Sequence, residues 1–248
     1  HPAMSDGATP SVAADSVLVR ACRRLPVTRT PVWLMRQAGR YMPEYRAIRT
    51  RQTMLEAIND SSVAAEITLQ PVSALGVDAA IIFSDILPPL IGMGLELDFV
   101  SGVGPRIANP IRASRDVDVL GTPPAEQTMR GTLGAIRLVR GALPPKTALI
   151  GFAGAPFTLA CYAIEGGGSQ RYEIAKSFMY REPAAWHRLM RRLVTVLADY
   201  LLAQARAGAD VLQVFDSWAG ALGPHDYARY VMPHNTALYK AISAAGVP

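Results

Sequence analysis

Lysine is almost missing from this 248-residue chain. Of its 25 basic residues only Lys146, Lys176 and Lys240 are lysines, and the other 22 are arginines. Cysteine is nearly as scarce. Cys22 and Cys161 stand far apart, with no C-x-x-C and no Cys/His spacing, so neither a disulfide framework nor a zinc site is expected. That usage fits a reducing, cytoplasmic setting. No apolar stretch approaches the roughly 18–20 residues that cross a bilayer, so a soluble protein with no membrane partner is expected. No G-x-G-x-x-G follows an apolar run, which argues against a Rossmann dinucleotide site. No G-x-x-x-x-G-K followed by Ser or Thr is present to cradle phosphates.

What the chain does have is apolar material for a sizeable core, half of all residues, and a net charge of +5. The opening His1-Pro2-Ala3 before Met4 reads as the remnant of an expression tag, and residues 1–15 are expected to lie outside the folded domain. Residues 16–248 are expected to form one α/β domain. Four short, nearly continuous apolar runs, 32–35, 79–83, 148–152 and 211–215, have the character of parallel strands covered on both faces. Helical spacing is predicted over 54–70, ending near Pro71, and over 124–143. The clearest helix is 183–207, with Pro183 at its first position, an apolar stripe from Trp186 through Leu189, Leu193, Leu197 and Leu201, and Gly208 past its end. Residues 225–245 are predicted helical too, bent or divided at Pro233. Strand–helix alternation implies βα units, and a TIM (β/α)8 barrel is the best match. Only about four units are visible, because residues 86–120 read as a long Gly/Pro-rich insertion. The chain is therefore expected to hold about the first half of a barrel.

In such folds chemistry sits where strands end and loops begin. Past the first run come Arg36, Gln37 and Arg40; past the second, Ser84 and Asp85; past the third, Tyr162; past the fourth, Asp216, Ser217 and Trp218. The stretch 36–51 alone carries five arginines, Arg36, Arg40, Arg46, Arg49 and Arg51. A guanidinium stays charged at any relevant pH and grips a carboxylate through two parallel hydrogen bonds. Several of them suit a small polyanion. Phosphate is the rival ligand, though it commonly recruits lysine, and duplex nucleic acid fits a pocket rim poorly. The plain alternative is surface ion pairing of Arg46 and Arg51 with Glu44 and Glu56. Asp85 is either a structural counter-ion or an ionised group that accepts N–H bonds and stabilises a developing cation. Glu165-Gly166-Gly167-Gly168-Ser169 is expected to be a mobile loop, and His187, His225 and His234 to be structural or exposed.

At these residues the sequence resembles the uroporphyrinogen decarboxylase family. Pro31-Val-Trp-Leu-Met-Arg-Gln-Ala-Gly-Arg40 reads like its N-terminal motif. Gly151-Phe-Ala-Gly-Ala-Pro-Phe-Thr-Leu-Ala-Cys-Tyr162 reads like its second, and Phe83-Ser-Asp-Ile-Leu87 and Phe215-Asp-Ser-Trp-Ala-Gly220 fall where the family has comparable segments. The resemblance covers about residues 16–248. It implies a (β/α)8 barrel that removes CO2 from the four acetates of uroporphyrinogen to leave coproporphyrinogen, without metal or organic cofactor, as a cytoplasmic homodimer. It implies that Arg36, Arg40 and Arg49, with Gln37 beside them, bind substrate carboxylates. Asp85 would hold the pyrrole N–H groups, and Tyr162 and Ser217 would hydrogen-bond acetates or propionates. Asp85, Arg36 and Tyr162 are the catalytic candidates. Arg36 or a bound water could deliver the proton. The family's later half has no counterpart before residue 248, so a piece of a longer enzyme is expected. A methyltransferase of the same superfamily, which would need a His/Cys zinc site, and a non-catalytic porphyrin binder remain as alternatives.

Overall fold

The computed structural model describes residues 13, 15–39, 41–244 and 246–248. In chain order the elements are α1 (Val17–Cys22), α2 (Pro43–Arg49), α3 (Met54–Asn59), α4 (Ser61–Leu75), β1 (Ala79–Ile81), α5 (Pro88–Gly92), β2 (Leu97–Val100), β3 (Gly104–Ile107), α6 (Ser114–Asp118), α7 (Ala125–Thr128), α8 (Arg130–Ala142), β4 (Ala148–Gly154), α9 (Pro156–Glu165), α10 (Glu173–Arg181), α11 (Pro183–Ala207), β5 (Val211–Phe215), α12 (Pro224–Tyr230) and α13 (Met232–Ser243). The strands β1, β4 and β5 form a parallel sheet in that order, with Ala79 opposite Ala148 and Ile150 opposite Val211. The chain is an α/β protein built on a parallel sheet.

Central β4 is buried along its whole length, as a parallel strand flanked on both edges and covered on both faces must be. Gly151 lets α11 press close to it. The buried Gln204 accepts the Phe152 N–H and donates to the Phe152 carbonyl, both at 2.8 Å, and a Cβ at position 151 would stand 2.6 Å from the Gln204 Oε1. The apolar stripe of α11 is buried as its spacing predicted, and the helix occupies the predicted 183–207.

Run 32–35 is not a strand. It makes one backbone bond to the sheet, Asp78 N–H to the Val32 carbonyl at 2.8 Å, and Val32 and Met35 remain 51% and 65% exposed. An apolar run becomes a strand when neighbours take its N–H and C=O groups on a ladder, and this run has such a neighbour at a single point. The predicted helix 54–70 is two helices, because the Asp60 carboxylate caps the N–H groups of Ser62 and Val63 and starts α4 afresh. The second then runs through Pro71 to Leu75 and stops at Gly76 in the left-handed region. Residues 124–143 divide at Met129. The final pair divides at Val231, and Pro233 falls in the first turn of α13, where its missing N–H costs nothing. The insertion 86–120 is ordered, with β2 and β3 pairing antiparallel from Leu97–Ile107 to Val100–Gly104. Against that hairpin lies the glycine-rich stretch predicted to be mobile. The Ile107 N–H bonds the Gly166 carbonyl at 2.9 Å, Gly167 bridges to Arg106, and Glu165 accepts the Ala175 N–H. It is a pinned connection.

The ends at which β1 and β5 begin are clasped by charge. Asp78 accepts from the Arg29 guanidinium and from the Val32 N–H at 2.7 Å, and its bond to Arg29 first of all holds its carboxyl below the ordinary carboxylate range. Asp210, almost fully buried, accepts from Arg140 at 2.6 Å and from the Leu149 N–H at 2.8 Å.

Candidate functional site

Because the three strands are parallel, their trailing ends share one edge of the sheet, the usual location of ligand sites in α/β folds. Asp85 follows β1 within a tight turn. Its Oδ1 accepts the Leu87 N–H at 2.9 Å, an Asx turn that fixes the carboxyl just before Pro88 and Pro89 open α5. Tyr162 enters from α9, which starts at Pro156 directly after β4 and is buried nearly all round; Tyr162 is one of its two half-buried residues. Burial first, and then the negative charge of Asp85, raise the Tyr162 phenol above its ordinary pKa, while the positive charge of Arg36 lowers it. Asp85, Arg36 and Tyr162 therefore occupy one neighbourhood.

Arg36 is exposed and sits in the left-handed region at φ 65°, inside a turn closed by the Gln37 N–H to Leu34 carbonyl bond and the Gly39 N–H to Arg36 carbonyl bond. Such a conformation costs a non-glycine residue on the order of 1 kcal/mol and is typical of sites where the surroundings dictate side-chain direction. The turn is held by Gln37, and here the expectation needs correction. Gln37 is fully buried, its amide donates to the Ala79 carbonyl at 2.8 Å, and its Oε1 accepts the Leu34 N–H at 2.8 Å. It is a brace between the 31–39 segment and β1, not a substrate ligand. Arg40 lies outside the described residues. Arg49 donates to the Gln52 carbonyl, three residues past the end of its own helix. Glu56, which the plain alternative offered with Glu44 as an ion-pair partner for the arginines, closes a capping box in which it accepts the Thr53 N–H at 2.7 Å and senses Arg49. Arg46 is exposed. Ser84 turns its hydroxyl to Thr132 of α8 at 3.3 Å. Ser217 is exposed immediately after β5.

Two groups beside Ser217 carry more structure than their sequence position suggested. Asp216 is half-buried, accepts from the Thr158 hydroxyl at 2.9 Å and from the Asn235 amide at 3.3 Å, and burial raises its carboxyl above the ordinary range. Trp218 stacks on Tyr162 with centroids 3.9 Å apart and an interplanar angle of 26°, and Tyr172 leans on it at 4.8 Å. Thr158, Tyr172 and Asn235 could not be found from sequence, since each is defined by a partner 19 to 60 residues away. His187 and His234 face each other with ring nitrogens 2.8 Å apart. Burial pushes both down, His234 to about 4. This is the structural role expected of them; His225 is exposed. Among the described residues no three His, Cys, Asp or Glu side chains gather as a metal site would require, and no helix is long and apolar enough to cross a membrane.

A family model described as uroporphyrinogen decarboxylase matches residues 13–248. A uroporphyrinogen decarboxylase of Chloroflexus aurantiacus is 61% identical over 226 residues, covering 91% of this chain and 63% of that protein. One of Thermus thermophilus is 52% identical over 234 residues, covering 94% and 68%. The chain thus spans about two thirds of the length of these relatives. Among solved structures, a methyltransferase from Methanosarcina mazei superposes with a TM-score of 0.74 at 18% identity, over 94% of this chain and 67% of that one. It has the same fold.

Proposed function

The chain belongs to the uroporphyrinogen decarboxylase family, and on that premise we propose that it carries the substrate-facing carboxylate, guanidinium and phenol of an enzyme that converts uroporphyrinogen III into coproporphyrinogen III. Protonation of a ring carbon makes one pyrrole cationic. The bond from the acetate methylene to its carboxylate then breaks, the electron pair flows into the ring, and CO2 leaves. Protonation of the methylene and loss of the ring-carbon proton complete the methyl group, with one proton consumed for each CO2 released. Asp85 accepts the pyrrole N–H groups and stabilises the cation where it develops. Arg36 and Arg40 grip acetate or propionate carboxylates, and Tyr162 and Ser217 hydrogen-bond them. On the same premise the parallel sheet is part of a (β/α)8 barrel, and the enzyme acts on a tetrapyrrole as a cytoplasmic homodimer.

One consideration carries the reading: the charges of Asp85 and Arg36 both act on the Tyr162 phenol, which pairs a negative group suited to a cation with a positive group suited to a carboxylate. Incubation with uroporphyrinogen III, following CO2 release and coproporphyrinogen formation, tests it. Turnover is the expected result. Binding without turnover would instead make the chain a tetrapyrrole binder.

A further inference from the structure

The phenol of Tyr162 is not held by its own helix alone. Its ring lies against the indole of Trp218 at 3.9 Å in a near-parallel stack, and Trp218 is itself held once at its ring and once at its backbone. Tyr172 presses on it at 4.8 Å and 48°, from a backbone in the left-handed region at φ 55° whose N–H bonds the Ser169 hydroxyl. The Trp218 N–H donates to the Thr158 hydroxyl at 3.2 Å, and that hydroxyl donates to Asp216 at 2.9 Å. Asp216 is in turn bonded by Asn235 from α13. Thr158 and Tyr162 are both on α9, four residues apart and so on one helix face. The Thr158 bond therefore docks the Trp218 backbone one turn below the ring that its indole covers. A stacked aromatic pair with one partner anchored at its backbone leaves the other little freedom to tilt.

We propose that Trp218 is a positioning residue of this site: packed against Tyr172 at its ring and tied to Thr158 through its backbone N–H, it sets the direction in which Tyr162 presents its hydroxyl. The inference rests on the decarboxylase reading, and its test separates the two. In the full chain, Trp218→Ala should lower kcat/KM about three- to tenfold, the worth of one aromatic pair, and Trp218→Phe should restore most of the loss. In a Tyr162→Phe background the same Trp218→Ala change should cost little, because a clamp has nothing left to aim. Equal losses in both backgrounds would overturn the proposal, since a merely structural tryptophan gives additive effects. A second measurement needs no turnover. The tyrosinate absorbance that Tyr162→Phe removes should titrate at lower pH in Trp218→Ala than in the parent, because the released ring gains water. An unchanged titration would also overturn the clamp. No CO2 release with the titration shifted would reject the decarboxylase and leave the clamp standing.

Discussion

Strands β1 and β5 are each bracketed by two aspartates, and the two ends of the sheet treat them differently. At the leading ends Asp78 and Asp210 are bound by the guanidinium groups of Arg29 and Arg140 and clasp a neighbouring backbone N–H. At the trailing ends Asp85 ties down the Leu87 N–H, and Asp216 rests on a hydroxyl and an amide. The bond with Arg29 holds the Asp78 carboxyl below the ordinary range, while burial raises that of Asp216. A carboxylate paired with arginine serves the fold. Asp216, supported by a hydroxyl and an amide at the trailing end of β5, can still answer to a ligand's charge.

The largest expected effect lies at the leading end. Asp210→Ala takes the charge partner from the largely buried guanidinium of Arg140, which keeps its bonds to the Thr147 carbonyl while its Nε already lacks a partner, and removing one member of a buried pair costs about 3–5 kcal/mol. Urea denaturation should show an unfolding free energy lower by that amount; a loss under about 1 kcal/mol, the value of an exposed pair, would erase the contrast between the ends. Next comes Asp85→Asn. The amide oxygen can still accept the Leu87 N–H, so the melting temperature should hold, while kcat falls about 10²–10³-fold with the loss of an electrostatic stabiliser. Unchanged turnover would deny Asp85 its role toward the cation.

The smallest effects have opposite signs. Asp78 has a lowered folded-state pKa, so its contribution is present above the unfolded value of about 3.9 and is lost as pH falls through the folded one. Arg29→Ala should therefore shrink the drop in melting temperature between neutral and acidic pH. Asp216 has a raised folded-state pKa, so its contribution is present below about 3.9 and is lost as pH rises through the folded value. Asp216→Asn should gain on the parent as pH increases. If both variants shifted the same limb in the same direction, the two ends would not differ as described.

Much of this was legible in the chain. The helix 183–207 and the strand 211–215 stand where periodicity put them, because a long amphipathic stripe and a β-branched apolar run between turn residues have few other ways to bury themselves. Asp85 and Tyr162 were singled out because they follow parallel strands, where ligand sites gather in such folds. Run 32–35 was misread because an apolar composition says nothing of who pairs with it. Gln37 was misread because its partner is the Ala79 carbonyl, 42 residues on. The hairpin 97–107 hid in a glycine-rich stretch whose partners, Gly166 and Gly167, come much later.

By itself, then, the sequence determined the fold class, the core-facing helix stripes and the placing of aspartate and tyrosine just past the ends of strands, since these follow from spacing along the chain. Only the tertiary structure decided which carboxylates are neutralised, that Gln37 is a brace, and that Trp218 lies on Tyr162. Those outcomes depend on distances between residues far apart in the chain, which no local pattern encodes.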